Sequence, residues 1–288
     1  MFSRIGGHRV LRVTVVLILV LALGAAVRIA LHREPEPYKG PPAVAQGGLY
    51  KAARGQANHV TVTETSDDDG RILHYEIDDV VPIDTKGPDC THPDAGDRTK
   101  AVCTVVIEEM ATGPYTTFVM QLGDGDDTAA IHNHVADTFG SNEVHLGDGD
   151  DTWTGVGNDA QAVWGDDGDD ALTVERYAEG GDGDDTIHAE GDRAGGAGGR
   201  GDDILYGGAG SQGLHGDAGD DILYGGPGAD QLHGGVGADV LHGNSGDDII
   251  YGDNQDGGRF DGGKDKLYGG PGTDRLDGGP ADDFVKQD

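Results

Sequence analysis

Aspartate recurs at a fixed place in a nine-residue, glycine-rich repeat. From 198 to 285 the repeat has glycine first, second and fourth, aspartate sixth and an aliphatic residue eighth, as in GGPGADQLH at 225–233 and GGVGADVLH at 234–242. Glycine adopts positive φ and leaves carbonyl oxygens open to a ligand. Carboxylate and carbonyl oxygens in this pattern predict sites for a hard divalent cation, and calcium accepts roughly six to eight such ligands.

Residues eighteen positions apart should lie above one another, because two repeats make one coil with two strands and two turns. The sixth-position residues therefore fall into two files at opposite edges. The first file holds Asp203, Asp221 and Asp239. The opposite file holds Gln212, Asp230 and Asp248. Because glutamine lacks a carboxylate, we expect a weak site or none at Gln212.

The register of the repeats changes once. The stretch 252–268 has seventeen residues where two repeats need eighteen, which indicates a one-residue deletion. Beyond it, Asp265 and Asp283 are again eighteen residues apart and are expected ligands. Asp274 is a further expected ligand, with Asp256 as its partner.

Looser copies with uneven spacers precede the regular repeats. LGDGDDT occurs at 122–128 and 146–152, WGDDGDDALT spans 164–173, and GGDGDDTIH spans 180–188. Their sixth-position carboxylates form a second group of expected ligands: Asp127, Asp151, Asp170 and Asp185.

The elements that position these turns are short strands built on the eighth residue. Inward-facing aliphatic side chains are expected at Leu205, Leu214, Leu223, Leu232, Leu241, Ile250, Leu267, Leu276 and Val285. Burying one such side chain contributes roughly 1.5 to 3 kcal/mol, whereas ordering each backbone residue costs about 1 to 2 kcal/mol. One aliphatic per nine residues cannot offset that cost alone, so a cation that bridges the aspartates is expected to stabilise the stack.

These residues resemble the RTX repeat family, the hemolysin-type, glycine-rich calcium-binding nonapeptides of secreted bacterial proteins. The resemblance implies an all-β, right-handed parallel β-roll with several calcium ions held between turns by carbonyl oxygens and by the sixth-position aspartates. Many members of the family carry an uncleaved C-terminal secretion signal and a separate large module. Here the sequence predicts an N-terminal export signal instead.

Residues 1–30 predict a signal peptide. Arg4, Arg9 and Arg12 precede an apolar run over 13–27, which is short for a full membrane span. The alternative is an uncleaved anchor that holds the N-terminus in the cytoplasm. Both interpretations place the remainder outside, either secreted or anchored at the membrane and facing outward.

The remaining sequence divides into four parts. Residues 31–48 predict a Pro/Gly-rich linker, 49–120 a small β domain that caps the stack, 121–197 degenerate repeats and 198–288 the regular roll. Strand-like runs in the cap occur at 59–65, 71–81, 101–109 and 115–122. Cys90 and Cys103, the only two cysteines, are expected to form a disulfide.

Charge restricts the partners. The net charge is −33, and residues 121–288 hold 38 acidic against 8 basic residues. Nucleic acid and anionic membranes would be repelled, whereas calcium ions are the natural counter-charge. A cell-surface or matrix polymer stays open as a partner, and a membrane only if the N-terminal segment is uncleaved.

Other interpretations of the repeats fit less well than the calcium roll. GDGDD runs also occur in disordered acidic tails, but the regular eighth-position aliphatic favours order. Ninth-position rings, such as His215, His233 and Tyr224, predict exposed ladders, and His132 and His134 lack companion cysteines for a zinc site. An ice-binding solenoid would need outward threonine ladders, whereas the ninth position here mostly holds histidine and tyrosine.

The sequence therefore predicts a secreted calcium-binding β-roll with a structural or adhesive role and calcium-driven folding. Motifs for a serine nucleophile elbow or a zinc protease helix are absent from the sequence, so we expect no enzyme. The alternative is a calcium-dependent polysaccharide hydrolase, lyase or epimerase with carboxylates on the roll surface.

Overall fold

The structure is a computed structural model, which describes residues 40–67, 71–107, 115–135, 140–156, 162–253 and 263–287. All regular elements within these ranges are β-strands, so the all-β prediction is confirmed. No helix in these ranges is long and apolar enough to cross a membrane. The predicted signal peptide or anchor over 1–30 lies outside the described residues and stays a prediction.

Short strands follow one another along the whole described chain. Their bounds are Ala43–Gln46 (β1), Leu49–Lys51 (β2), His59–Ser66 (β3), Ile72–Asp78 (β4), Ile83–Thr85 (β5), Cys90–Thr91 (β6), Lys100–Val106 (β7), Tyr115–Asp124 (β8), Thr128–Asn133 (β9), Gly140–Asp148 (β10), Thr152–Val156 (β11), Ala162–Asp167 (β12), Ala171–Val174 (β13), Tyr177–Asp182 (β14), Thr186–Ala189 (β15), Gly195–Arg200 (β16), Ile204–Gly207 (β17), Gly213–Ala218 (β18), Ile222–Pro227 (β19), Gln231–Val236 (β20), Val240–Ser245 (β21), Ile249–Asp253 (β22), Lys266–Tyr268 (β23), Arg275–Asp277 (β24) and Phe284–Lys286 (β25).

From β8 onward, successive strands alternate between two sheets. One sheet runs β8-β10-β12-β14-β16-β18-β20-β22-β24, and the other runs β9-β11-β13-β15-β17-β19-β21-β23-β25. Neighbours within each of these runs are parallel. Two strands and two turns thus make one coil, and the coils stack into the predicted parallel β-roll.

The eighth-position side chains fill the space between the sheets. Seven of them are fully buried: Leu205, Leu214, Leu223, Leu232, Leu241, Ile250 and Leu267. A Cβ placed on Gly196 of β16 would lie 3.2 Å from Ile187 Cγ2 in the facing sheet, so the two sheets pack closely. At the last coil the inward-facing side chains are less buried: Leu276 packs against the core but is only partly buried, and Val285, in register with Leu267, is 49% exposed. No later coil covers them in the described residues.

Antiparallel strands close the N-terminal end of the roll. β4 pairs with β3 and β7, and β6 pairs with β7. Cys90 of β6 lies opposite Cys103 of β7, and the two form the predicted disulfide. This cap covers strand edges that would otherwise be unpaired.

The final part of the predicted linker is a strand. Ala43–Gln46 (β1) pairs with β2 and β5, and Ala43 and Ala45 are fully buried in the core. The prediction of a linker over 31–48 is therefore wrong for β1. Neighbouring prolines conceal the alternation of small inward residues that buries this strand.

One coil of the roll precedes the recognisable repeats. β2 is parallel to β8, and β3 is parallel to β9, so residues 49–66 stack on the roll. Asn58 takes the sixth position, because its backbone N–H donates to Asp127 Oδ1. Val60 takes the eighth position and is 1% exposed. The corresponding sequence, ARGQANHVT, keeps only one glycine, so periodicity did not reveal this coil.

Candidate metal centre

The sixth-position aspartates form a ladder along one edge of the roll, which we call edge file 1. Except in the first member, Asp127, the Oδ1 of each carboxylate accepts a hydrogen bond of 2.7 to 3.1 Å from the backbone N–H of the file member one coil earlier. The members are Asp127, Asp151, Asp170, Asp185, Asp203, Asp221, Asp239, Asp265 and Asp283. The four ligands expected in the looser copies therefore lie in the same file as five from the regular repeats, although their sequence spacings are uneven.

A shorter ladder, edge file 2, lies at the opposite edge. It consists of Gln212, Asp230, Asp248 and Asp274, joined by hydrogen bonds of 2.9 to 3.0 Å. One coil before Gln212 the corresponding residue is Ala194. Carboxylates are thus concentrated on edge file 1.

The predicted pairing of Asp274 with Asp256 is wrong. The N–H of Asp248 donates to Asp274, and that of Asp239 to Asp265, each across 26 residues instead of 18. The sheets also continue directly from β21 to β23 and from β22 to β24. The stretch 252–268 is therefore one repeat with eight additional residues, not two repeats with one residue lost. Asp256 itself lies outside the described residues.

The second carboxylate oxygen, Oδ2, is buried and has no hydrogen-bond partner in ten file members. These are Asp127, Asp151, Asp170, Asp185, Asp203, Asp221, Asp239 and Asp265 in edge file 1 and Asp230 and Asp248 in edge file 2. Each of these residues is at most 2% exposed. A buried carboxylate oxygen without a donor is costly. These oxygens therefore mark places where a cation would stabilise the fold.

The first-position glycine lies against that oxygen and forms a cradle with the next coil. A Cβ on Gly216 would lie 2.2 Å from Asp221 Oδ2 and 2.6 Å from the carbonyl oxygen of Gly234. The same pair of contacts, at 2.0 to 2.9 Å, surrounds Gly165, Gly180, Gly225, Gly234, Gly243, Gly252 and Gly269. Each cradle thus joins a carboxylate and a backbone carbonyl from two coils. This all-oxygen donor set fits a hard cation such as calcium.

Burial raises the pKa of these carboxyl groups strongly. The pKa of Asp185 is raised to about 8, first by desolvation and further by the carboxylates of Asp170 and Asp203, against a backbone hydrogen bond that lowers it. Burial likewise raises the pKa of Asp203, Asp221 and Asp239 to about 7. Removing water from a carboxylate disfavours its charged form. A bound cation would reverse this preference.

Three places in the files depart from the cradle pattern. Leucine replaces the first-position glycine before Asp127 and Asp151, and both Leu122 and Leu146 are fully buried. In edge file 2, Gln212 donates from Nε2 to the carbonyl oxygen of Gly191 at 2.8 Å. This carbonyl oxygen therefore has a hydrogen-bond donor, the Gln212 amide, without any cation. We expect these three turns to differ from the glycine-first turns.

A second row of aspartates occupies the exposed fifth position. Oδ1 of Asp202 accepts a 2.8 Å hydrogen bond from the N–H of Asp220 in the following coil. Asp203 beside it donates its N–H to Asp221 of the same following coil. Adjacent aspartates in one turn therefore connect neighbouring coils by hydrogen bonds of opposite direction.

Side chains alone do not build a metal centre in the described ranges. They contain no group of three or more His, Cys, Asp or Glu side chains that could hold a metal, so backbone carbonyls must contribute to any site. Ninth-position rings form two ladders, stacked face to face except at the tilted pair of His233 and Tyr251. One ladder holds His188, Tyr206, Tyr224, His242 and Tyr268 with centroids 4.6 to 5.2 Å apart, and the other holds His215, His233 and Tyr251.

The parallel coils form a β-roll whose edge turns are lined with carboxylate and carbonyl oxygens. Residues 177–193, 197–223, 214–241, 224–257 and 261–285 match the family model of the RTX calcium-binding nonapeptide repeat. Within 177–285 the chain is thus similar to this calcium-binding repeat family, as the resemblance implied. A comparison with curated proteins finds no match.

Proposed function

We propose that the roll binds several calcium ions in its edge cradles. The observation that supports this proposal is the set of ten buried, unpartnered Oδ2 atoms in the two edge files, seven of which lie adjacent to a first-position glycine and a carbonyl of the next coil. The proposed ligands in glycine-first turns are Asp170, Asp185, Asp203, Asp221, Asp239, Asp265, Asp283, Asp230, Asp248 and Asp274. Asp127 and Asp151 are proposed as weaker ligands, because leucine stands in place of the first glycine.

Calcium-driven folding follows from the same geometry. When bound, calcium supplies positive charge to carboxylates that are otherwise buried without a partner, and it links two coils. Because it binds the folded roll and not the unfolded chain, the free energy of unfolding should rise with the logarithm of free calcium. Extracellular calcium modules bind in roughly the 10⁻⁴ to 10⁻³ M range. The roll would therefore stay unfolded in a low-calcium cytoplasm and fold after export.

The biological role that we propose is structural or adhesive, in a secreted or outward-facing, membrane-anchored protein. The N-terminal signal pattern and the Cys90–Cys103 disulfide support an extracytoplasmic location. Protease treatment of intact producing cells and assay of the medium test it. The proposal is wrong if the chain is found only inside intact cells. We do not propose a polysaccharide-degrading enzyme, because no observation on the described residues favours it.

Calcium titration of the purified chain tests the binding proposal directly. We expect chelator to abolish most of the β-sheet circular dichroism and added calcium to restore it, with several ions bound per chain. Magnesium at the same concentration is the control, because it keeps its water and demands octahedral geometry. A β-sheet signal that is indifferent to chelator, or the absence of bound calcium, contradicts the proposal.

Gln212→Asp should add a calcium site to edge file 2. The substitution supplies a carboxylate at the one regular turn where the cradle has an amide, near the carbonyl oxygen of Gly225. We expect one more bound calcium ion and, at saturating calcium, a Tm higher by a few degrees. This shift corresponds to a gain in the free energy of unfolding on the order of 1 kcal/mol. Gln231→Asp, which adds the same charge on the exposed face of β20, is the matched control and should add no ion. Equal stoichiometry for Gln212→Asp and wild type contradicts the prediction.

A further inference from the structure

Asp253 is an acidic residue at the second position of its repeat, where most turns have glycine. Asp166, Asp217 and Asn244 share this position and have positive φ values of 77°, 73° and 72°. Their side chains are exposed. Asp253 is not among the residues with positive φ. Its carboxylate is turned the other way, and both Oδ1 and Oδ2 are buried without a hydrogen-bond partner.

The carboxylate of Asp253 lies beside the cradle of Gly252. A Cβ on Gly279 would lie 2.0 Å from Asp253 Oδ2, so this oxygen packs against the backbone that follows Gly278. A Cβ on Gly252 would lie 2.2 Å from Asp265 Oδ2 and 2.6 Å from the carbonyl oxygen of Gly278. Asp253 follows Gly252 in the chain just as Gly279 follows Gly278. The extra carboxylate therefore adjoins both walls of one cradle.

Negative charge is concentrated around the cradle of Gly252. Asp265 is 1% exposed, its Oδ2 has no partner, and the carboxylates of Asp253 and Asp283 both raise its pKa beyond the effect of burial. The pKa of Asp253 is itself raised by burial and then by Asp283 and Asp277. Within the described turns, no other second-position carboxylate has both oxygens buried and unpartnered. Such a cluster is stable only if a cation or protons neutralise it.

We propose that Asp253 is an additional calcium ligand and that, with Asp265 and the backbone carbonyl of Gly278, it forms the tightest calcium site of the roll. The proposal rests on calcium binding by the roll and adds a residue that the nonapeptide pattern does not provide. Calcium affinity rises with the number of charged ligands and with the rigidity of the site. The other cradles have one sixth-position carboxylate beside the first glycine, whereas this one has a further carboxylate in contact with its wall. This site should fill first as calcium rises.

The test is competition for calcium between the full chain and a chromophoric chelator, with circular dichroism at saturating calcium for each variant. Wild type should bind one ion about tenfold more tightly than the others. Asp253→Asn, which keeps the shape and removes the charge, should lose this tight class while most of the weaker sites persist. Asp217→Asn is the matched control at the same repeat position, and it should retain the tight ion.

If wild type binds calcium without a distinct tight ion, or if Asp253→Asn keeps it, the assignment of Asp253 is wrong while calcium binding stands. If wild type binds no calcium, the proposed function itself is wrong. If Asp253→Asn does not fold at saturating calcium, Asp253→Gly replaces it, because glycine occupies this position in the preceding coil at Gly235. Retention of the tight ion in Asp253→Gly overturns the proposal.

Discussion

Stripped of calcium, the chain should be largely unfolded at pH 8 and should gain β-sheet circular dichroism as the pH falls toward 5. Ten buried carboxyl groups in the two edge files cause this behaviour. Burial raises the pKa of nine of them to between about 6 and about 8 and raises that of Asp248 as well, from an ordinary value of 3.8. Protons thus take the place of the cation in the metal-free roll.

The direction of this pH dependence follows from the number of protons that the folded roll and the unfolded chain bind. Between about pH 4 and the raised values, the folded roll binds more protons than the unfolded chain, so the free energy of unfolding falls as pH rises. The stabilising contribution is complete below the unfolded pKa and is lost as pH passes through the folded pKa. For a single carboxyl group, a folded-state pKa that is higher by one corresponds to about 1.36 kcal/mol. Several such groups together exceed the stability of a typical domain.

Saturating calcium should reverse the trend. Calcium requires ionised carboxylates, so protons compete with it, and the calcium-loaded roll should lose stability as pH falls from 8 to 6. Thermal unfolding followed by circular dichroism at several pH values, with and without calcium, measures both slopes. Slopes of the same sign in the two conditions would contradict the assignment of the buried carboxyl groups as calcium ligands.

Gly216→Ala should remove one calcium site and destabilise the calcium-loaded roll by about 2 to 4 kcal/mol. The new Cβ would lie 2.2 Å from Asp221 Oδ2 and 2.6 Å from the carbonyl oxygen of Gly234, distances that force both oxygens to move. The methyl group would occupy the place between the two donors. Calcium stoichiometry should fall by one ion, and calcium-dependent Tm should fall by several degrees.

Gly213→Ala is the matched control for this substitution. Gly213 lies in the same strand, β18, does not have positive φ, and a Cβ there meets nothing within 4 Å. Because alanine restricts the unfolded chain, this variant should be neutral or up to about 1 kcal/mol more stable. A loss of stability or of calcium in Gly213→Ala equal to that in Gly216→Ala would show that the cradle is not the cause.

The regular part of the roll could be predicted from sequence because its signals are local and repeated. An aliphatic residue every nine positions fixes which side chain points inward, and Leu205 and Leu232 are buried as expected. The glycine-aspartate turn likewise indicates the edge at which each carboxylate lies. Strand alternation and the cysteine pair sufficed for the cap and its disulfide.

The rest depends on contacts between coils, which sequence distance does not encode. Counting by eighteen fails at Asp265 and Asp274, because the roll accepts eight additional residues at one turn while the ladder continues from Asp239 and Asp248. Counting also misses Asn58, whose partner Asp127 is 69 residues away. The inward orientation of the Asp253 carboxylate depends on the backbone conformation of that one residue, which its sequence neighbours do not reveal.

The paired aspartates at the fifth and sixth positions have a mechanical consequence. Asp202 receives the N–H of the following coil, while Asp203 gives its own N–H to that coil. Two hydrogen bonds thus join such a turn to the following coil, and a pull on the chain must break both before the coil separates. Force applied at either end of the roll would meet the same pair of hydrogen bonds at each successive GDD turn. The two hydrogen bonds of each such turn should therefore raise the force at which a coil separates from the roll.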